Sequence, residues 1–434
     1  MADEKVMNRW LAVVGALLIQ LCLGAIYAWS VFTTVLKKEP FGFTATQTQI
    51  IFSVGLGMFA LLMPFAGKLQ AKIGPRRVAL MGGIILGLGY ILAGLFGHTF
   101  ASQLICIGIL GGAGIGLAYV CPIAVGMRWF PDKKGLITGI AVAGFGFGAL
   151  LWVQLAGAWG HLLDTIGILR TFLYYGIAFA ALVSVGSLFM VYPPEGWRPA
   201  GWDPSQTKKG KKPVELPAEL CTGDMLKTGQ CYMIWLAYAF CALAGLMVIG
   251  IAKLFGGDAL ASSGLAKYAD PATGAATAAA AASTAYAIFF SLANGFGRIG
   301  WGVIADAIGW KPSIIVMAII QGVAMAALYF LGSSYAALCV FFAVVGANFG
   351  GTLALFPLST AGCFGTKNIG QNYGFMFTAY GVGGIVGPIV AGIFKDMGQG
   401  KGVTAWMPPF MIAAVLCIVA AVIVMGLKPP KKVC

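Results

Sequence analysis

Apolar blocks of about 20 residues or more, the length an α-helix needs to cross the hydrocarbon core of a bilayer, recur from one end of this sequence to the other. Charged residues gather at the block ends and in the gaps between them, with Arg298 the exception. A chain of this pattern must satisfy its backbone polar groups within each segment, which a helix does by itself and an open sheet cannot. The composition agrees: 59% of residues are hydrophobic and 10% charged, against about 25% charged in soluble domains. The net charge of +14 on a soluble protein would point to nucleic acid. Here the cations sit at block ends, so they set orientation in a membrane and no nucleic-acid partner is expected.

The blocks place spans near residues 10 to 36, 46 to 70, 77 to 97, 101 to 127, 135 to 159 and 170 to 192. A second set follows near 230 to 255, 276 to 304, 312 to 332, 335 to 360, 369 to 394 and 404 to 427. The expected fold is an all-α membrane protein of twelve transmembrane helices in two six-helix bundles, residues 1–192 and 229–434, joined by a cytoplasmic linker, 193–228. The linker carries Lys208, Lys209, Lys211 and Lys212. Short loops rich in Lys and Arg stay in the cytoplasm. Of the loop cations, 20 fall at the N-terminus, in the even-numbered loops and at the C-terminus, and 7 in the odd-numbered loops. Both termini are therefore expected in the cytoplasm of a multi-pass cell-membrane protein. The first block exceeds the 7 to 15 residues of a signal-peptide core, so it reads as an uncleaved span. The outer stretch Gly256 to Gly274, rich in Ala, Gly and polar residues, reads as a flexible loop.

The two sets echo one another. Gly67-Lys-Leu-Gln-Ala71-Lys72-Ile-Gly74 follows span two, and Gly302-Val-Ile-Ala-Asp306-Ala-Ile-Gly309 follows span eight, with identical glycine spacing. A second pair joins Arg128 to Gly135 after span four with Phe364 to Gly374 after span ten. Six-span repeats around a central loop are the sequence form of alternating-access transporters. These loops resemble the signature of the major facilitator superfamily over essentially the whole chain, with Ala71 departing from the acid expected in the first copy. The stretch Arg128 to Gly139, the segment Asn294 to Arg298, Ala354 to Pro357 and Asn372 to Phe375 resemble the oxalate/formate antiporter family, close to bacterial homologues of monocarboxylate transporters.

Arg298 is the most informative residue. An arginine at the centre of a span costs about 2.5 to 3.5 kcal/mol on insertion scales and faces a cavity or a partner; the alternative is a side chain reaching back to the interface near Asp306. A guanidinium fork grips a carboxylate through two parallel hydrogen bonds. The resemblance implies the same role for Arg298. Asn294, one helical turn away on the same face, can donate to the substrate or bond a neighbouring helix. Tyr27, Tyr119, Phe349, Phe377 and Tyr380 are the aromatic candidates for an apolar box around the substrate tail, each also readable as ordinary packing. The resembled oxalate carrier has a lysine where this chain has Tyr380, which leaves one deep cation and favours a monocarboxylate.

The glycine runs lie in apolar spans without a phosphate-binding lysine, and no cofactor, metal site or disulfide framework is expected. The sequence-level expectation is a secondary transporter of lactate, pyruvate or formate, not an enzyme, coupled to protons as a symporter. Oxalate/formate-type exchange is the alternative, and a membrane receptor or enzyme the reading from another class. Asn294 stands where animal relatives carry an acid, so the resemblance transfers no proton acceptor at this position.

Overall fold

The computed structural model describes residues 6–157, 159–199, 219–398, 401–428 and residue 430. Among the described residues, twelve helices are long and apolar enough to cross a membrane: α1 (Arg9–Thr33), α2 (Ile50–Ile73), α3 (Pro75–Phe96), α4 (Phe100–Trp129), α5 (Lys134–Ala156), α6 (Gly167–Ser187), α7 (Gly229–Ala261), α8 (Gly274–Ile308), α9 (Trp310–Leu331), α10 (Tyr335–Phe364), α11 (Ile369–Phe394) and α12 (Gly402–Gly426). These are the twelve spans read from the blocks. Large apolar side chains stand exposed on their outer faces, among them Phe65, Phe96, Ile177, Val323, Phe330 and Val422, while Gln20, Asn294, Arg298 and Asn348 are buried. Water would reject such a surface. Lipid does not, and the protein is a multi-pass membrane protein.

Proximity divides the described residues into two compact units. The first holds those of Met1–Lys227, Thr360–Thr378 and Pro429–Cys434, the second those of Thr228–Ser359 and Ala379–Lys428. Residues 360 to 378 thus group with the first unit although both flanking segments of chain belong to the second. Where this stretch ends, α11 is interrupted: its first helical piece stops at Met376 and the next starts at Thr378.

Small residues let the helices touch backbone to backbone. In the first unit a Cβ on Gly24 would stand 2.0 Å from the Phe145 carbonyl oxygen, and one on Gly148 2.1 Å from that of Leu21, so α1 and α5 meet without side chains between them. The echoed glycines, one in each unit, show their reason. Gly74 (φ 85, ψ 159) and Gly309 (φ 93, ψ 155) adopt the same left-handed turn, ending α2 and α8 and starting α3 and α9 at the next residue. Residues with a Cβ adopt that conformation only with strain.

The stretch Gly256 to Gly274 differs from its expectation as a loop. Residues Gly256–Ala261 continue α7, and Ala266–Ala269 forms a short helical turn. Gly256 and Gly257 lie against Ala282 and Ala279 at the start of α8, and Asp258 accepts a hydrogen bond from Trp406 Nε1 at 2.7 Å. Close packing and a bonded acid overrode a composition that favours coil. The lysine run of the linker lies outside the described residues.

Candidate substrate site

In the second unit, α8 opens on an alanine-rich stretch of high helix propensity and passes through a π-helical segment at Tyr286–Phe290 before reaching the polar pair. Asn294 and Arg298 then share a face at i, i+4, and Arg298 Nε donates to Asn294 Oδ1 at 3.0 Å. Arg298 is 0% exposed and Asn294 7%. The bond points the arginine back along α8, away from Asp306, so in this structure it is a buried cation and not one stretched to the surface.

Close approach of α10 seats the pair. A Cβ on Gly350 would lie 2.2 Å from the Asn294 carbonyl oxygen and 3.1 Å from Arg298 Cγ, and one on Gly297 2.3 Å from the Ala347 carbonyl oxygen. One turn beyond Arg298, Trp301 Nε1 donates to Asn348 Oδ1 at 3.1 Å, and its indole fills the space over Gly351. Phe349 and Tyr380 stack at 6.2 Å with 28° between ring planes. Phe349 continues to Phe290 at 6.2 Å and packs on Gly245 of α7. The structure therefore brings Arg298 to Asn294, and Phe349 to Tyr380.

The first unit gathers the other three candidates into one aromatic cluster. Tyr27 meets Phe145 edge-on at 5.1 Å, and Tyr119 lies 5.5 Å from Phe145 and 5.3 Å from Phe377. At the centre stands Phe59, 5.0 Å from Tyr119, 6.0 Å from Phe145 and 4.8 Å from Phe377. Sequence reasoning missed Phe59 and Phe145. In spans apolar on every side, no periodicity marks the ring that faces a partner. Asn348 was also missed, yet it carried a signal: one amide in an otherwise apolar span marks an interior face.

Two compact units of membrane helices, with an arginine and an asparagine buried in the second, define a polytopic transporter fold. The family model described as Major Facilitator Superfamily matches residues 16–269 and 251–433, and the chain belongs to that superfamily of transporters. It is 29% identical to the uncharacterized MFS-type transporter YhjX of Escherichia coli (strain K12), over 87% of this chain and 86% of that one. It is 27% identical to the oxalate:formate antiporter of Oxalobacter formigenes, over 95% and 90% of the two chains. Apicoplast pyruvate carrier 1 of Toxoplasma gondii is 26% identical over 87% and 82%. Among solved structures, the transporter FucP in the outward conformation superposes with a TM-score of 0.63 at 16% identity, covering 95% of this chain and 98% of its own. The proton:xylose symporter XylE superposes at 0.65 with 14% identity, covering 98% and 96%. These structures share the fold.

Proposed function

We propose that this protein is a secondary transporter of small monocarboxylates, of the lactate, pyruvate or formate class, that works by alternating access and performs no chemical conversion. The observation that carries the reading is Arg298, fully buried on α8 with Asn294 Oδ1 on its Nε. A guanidinium is the group that grips a carboxylate through two parallel hydrogen bonds. The Asn294 amide that bonds it carries no charge of its own. The names of two relatives, an oxalate:formate antiporter and a pyruvate carrier, support carboxylate chemistry.

Phe349 and Tyr380 provide apolar surface in the second unit, and Tyr27, Tyr119 and Phe377 provide it in the first. Proton symport is the proposed coupling. Exchange of anions is the second reading, favoured by the neutral Asn294: an empty carrier must otherwise move a buried cation through its cycle, a cost that a bound anion removes. Both termini and the 193–228 linker are proposed to face the cytoplasm.

Uptake of labelled lactate into proteoliposomes, with and without a pH gradient and with and without internal lactate, tests the reading. Symport predicts accumulation driven by the pH gradient into empty vesicles, and exchange predicts uptake only into anion-loaded ones. Arg298→Ala is expected to abolish uptake in either mode while inserting normally, and Arg298→Lys to bind poorly because an ammonium lacks the planar fork. Uptake by the alanine variant at the native rate would refute Arg298 as the carboxylate partner.

A further inference from the structure

Within the first unit, α2 and α3 meet through the Gly74 turn, and four cations stand at that corner. Lys68 and Lys72 lie in the last two turns of α2, Arg76 and Arg77 in the first turn of α3. All four are exposed. None forms an ion pair with another described residue, and the first turn of α3 holds no acid and no side-chain cap. Like charges so close in the chain repel one another, and cations on a first helical turn also oppose the helix dipole, which favours anions there. An anion seated among them relieves both.

The two helices give that anion a shape. On α2, Leu61, Phe65, Lys68 and Lys72 recur at i, i+4, i+7 and i+11, which puts them on one face, and all are exposed. On α3, Arg77, Met81 and Ile84 share a face in the same way and are exposed too. Each face runs from large apolar side chains at hydrocarbon depth to cations at the helix end. That is the profile of a phospholipid, acyl chain first and phosphate last. Positive charge at a helix end orients a span, but orientation does not require the cations to continue an exposed apolar face.

The echoed corner of the second unit is built differently. Asp306 stands there at the position of Ala71. Lys311, the counterpart of Arg76 by its spacing from the glycine, donates to the carbonyls of Met425 and Leu427 at 2.9 and 2.7 Å. In the second unit the fold uses the cation to close the end of α12. In the first unit the acid is missing and the cations face outward.

We propose that the α2–α3 corner is a binding site for an anionic phospholipid, its phosphate among Lys68, Lys72, Arg76 and Arg77 and its acyl chains along Leu61 and Phe65 and along Met81 and Ile84. The arginine forks hold phosphate oxygens through paired hydrogen bonds, and the lysines add charge. This site is independent of what the transporter carries.

Native mass spectrometry of the purified full-length protein, offered equimolar phosphatidylglycerol and phosphatidylcholine with identical acyl chains, tests the proposal. The native protein is expected to retain phosphatidylglycerol at least about tenfold in preference. Joint replacement by Lys68→Gln, Lys72→Gln, Arg76→Gln and Arg77→Gln should bring the two lipids to near equality. Lys208→Gln, Lys209→Gln, Lys211→Gln and Lys212→Gln together remove the same charge from the linker and should leave the preference intact. Should the fourfold corner variant fail to fold, Arg77→Gln alone decides, with an expected fall of about two- to fivefold, the weight of one cation at a membrane surface. Equal retention of both lipids by the native protein, an unchanged preference in the corner variants, or an equal loss in the linker variant would overturn the site. Millimolar glycerol 3-phosphate, a headgroup without chains, should leave the bound lipid in place. Its displacement of the lipid would mark a site for soluble phosphate and overturn the assignment to phospholipid.

Discussion

On the proposed reading, the guanidinium of Arg298, buried on α8, sets the charge count that a substrate must match. A second carboxylate entering beside Arg298 would lose its hydration with no cation to receive it, a penalty of at least about several kcal/mol for an unpaired buried charge. Tyr380, stacked on Phe349 at 6.2 Å, is where we expect that count to be adjustable. Tyr380→Lys should strengthen inhibition of lactate uptake by oxalate. Tyr380→Phe should only weaken lactate binding, by about 0.5 to 1.5 kcal/mol for a lost hydroxyl hydrogen bond. Inhibition curves for the native protein and both variants at one ionic strength check this. Strong oxalate inhibition of the native protein, or no change on adding the lysine, would show that selectivity is set elsewhere. Arg298 itself was legible in the sequence because a lone cation inside an apolar span has few physical explanations. The bond to Asn294 was foreseeable only as a shared face, since a spacing of four fixes direction but not rotamer.

At the scale of elements, glycine decides where helices touch. Gly350 allows the α10 backbone to sit on Asn294 and Arg298, and Gly350→Ala would thrust a Cβ to 2.2 Å from the Asn294 carbonyl oxygen. Overpacking of this kind costs about 1 to 3 kcal/mol, so the variant should melt several degrees lower and lose uptake as α8 is pushed aside. Gly300 on α8 is the contrast, with nothing within 4 Å of an added Cβ. Gly300→Ala should keep uptake and melt at or slightly above the native temperature, because alanine favours a helix interior by about 0.8 to 1.0 kcal/mol over glycine. Equal melting temperatures for the two variants would contradict the packing seen at Gly350. The echo of Gly67 to Gly74 in Gly302 to Gly309 was visible as spacing, and its cause, two matching left-handed turns, is a backbone angle that no spacing displays. The end of α7 was misjudged for a related reason: Gly256 and Gly257 look like coil until the alanines of α8 are laid against them.

For the whole molecule, the distribution of cations predicts orientation. Cysteines introduced as Lys209→Cys in the linker and Ser262→Cys beyond α7 should label from opposite faces of intact cells with an impermeant maleimide. Labelling of both from outside would reverse the proposed cytoplasmic placement of the linker. The number, order and approximate limits of the twelve helices were determined by the sequence alone, because lipid admits few structures and each span must carry about 20 apolar residues in a row. Arg298 was marked for the same reason: charge is conspicuous where the solvent is hydrocarbon. What only the tertiary structure decided is which rings meet and which segments pack together. Phe59 and Phe145 join Tyr119 and Phe377, and residues 360–378 group with the unit that their neighbours in sequence do not share. An apolar helix surrounded by apolar surroundings carries no amphipathic stripe to announce its partner, and a carboxylate such as that of Glu219, which caps two backbone N–H groups 147 and 148 residues away, is specified by the fold that brings them together.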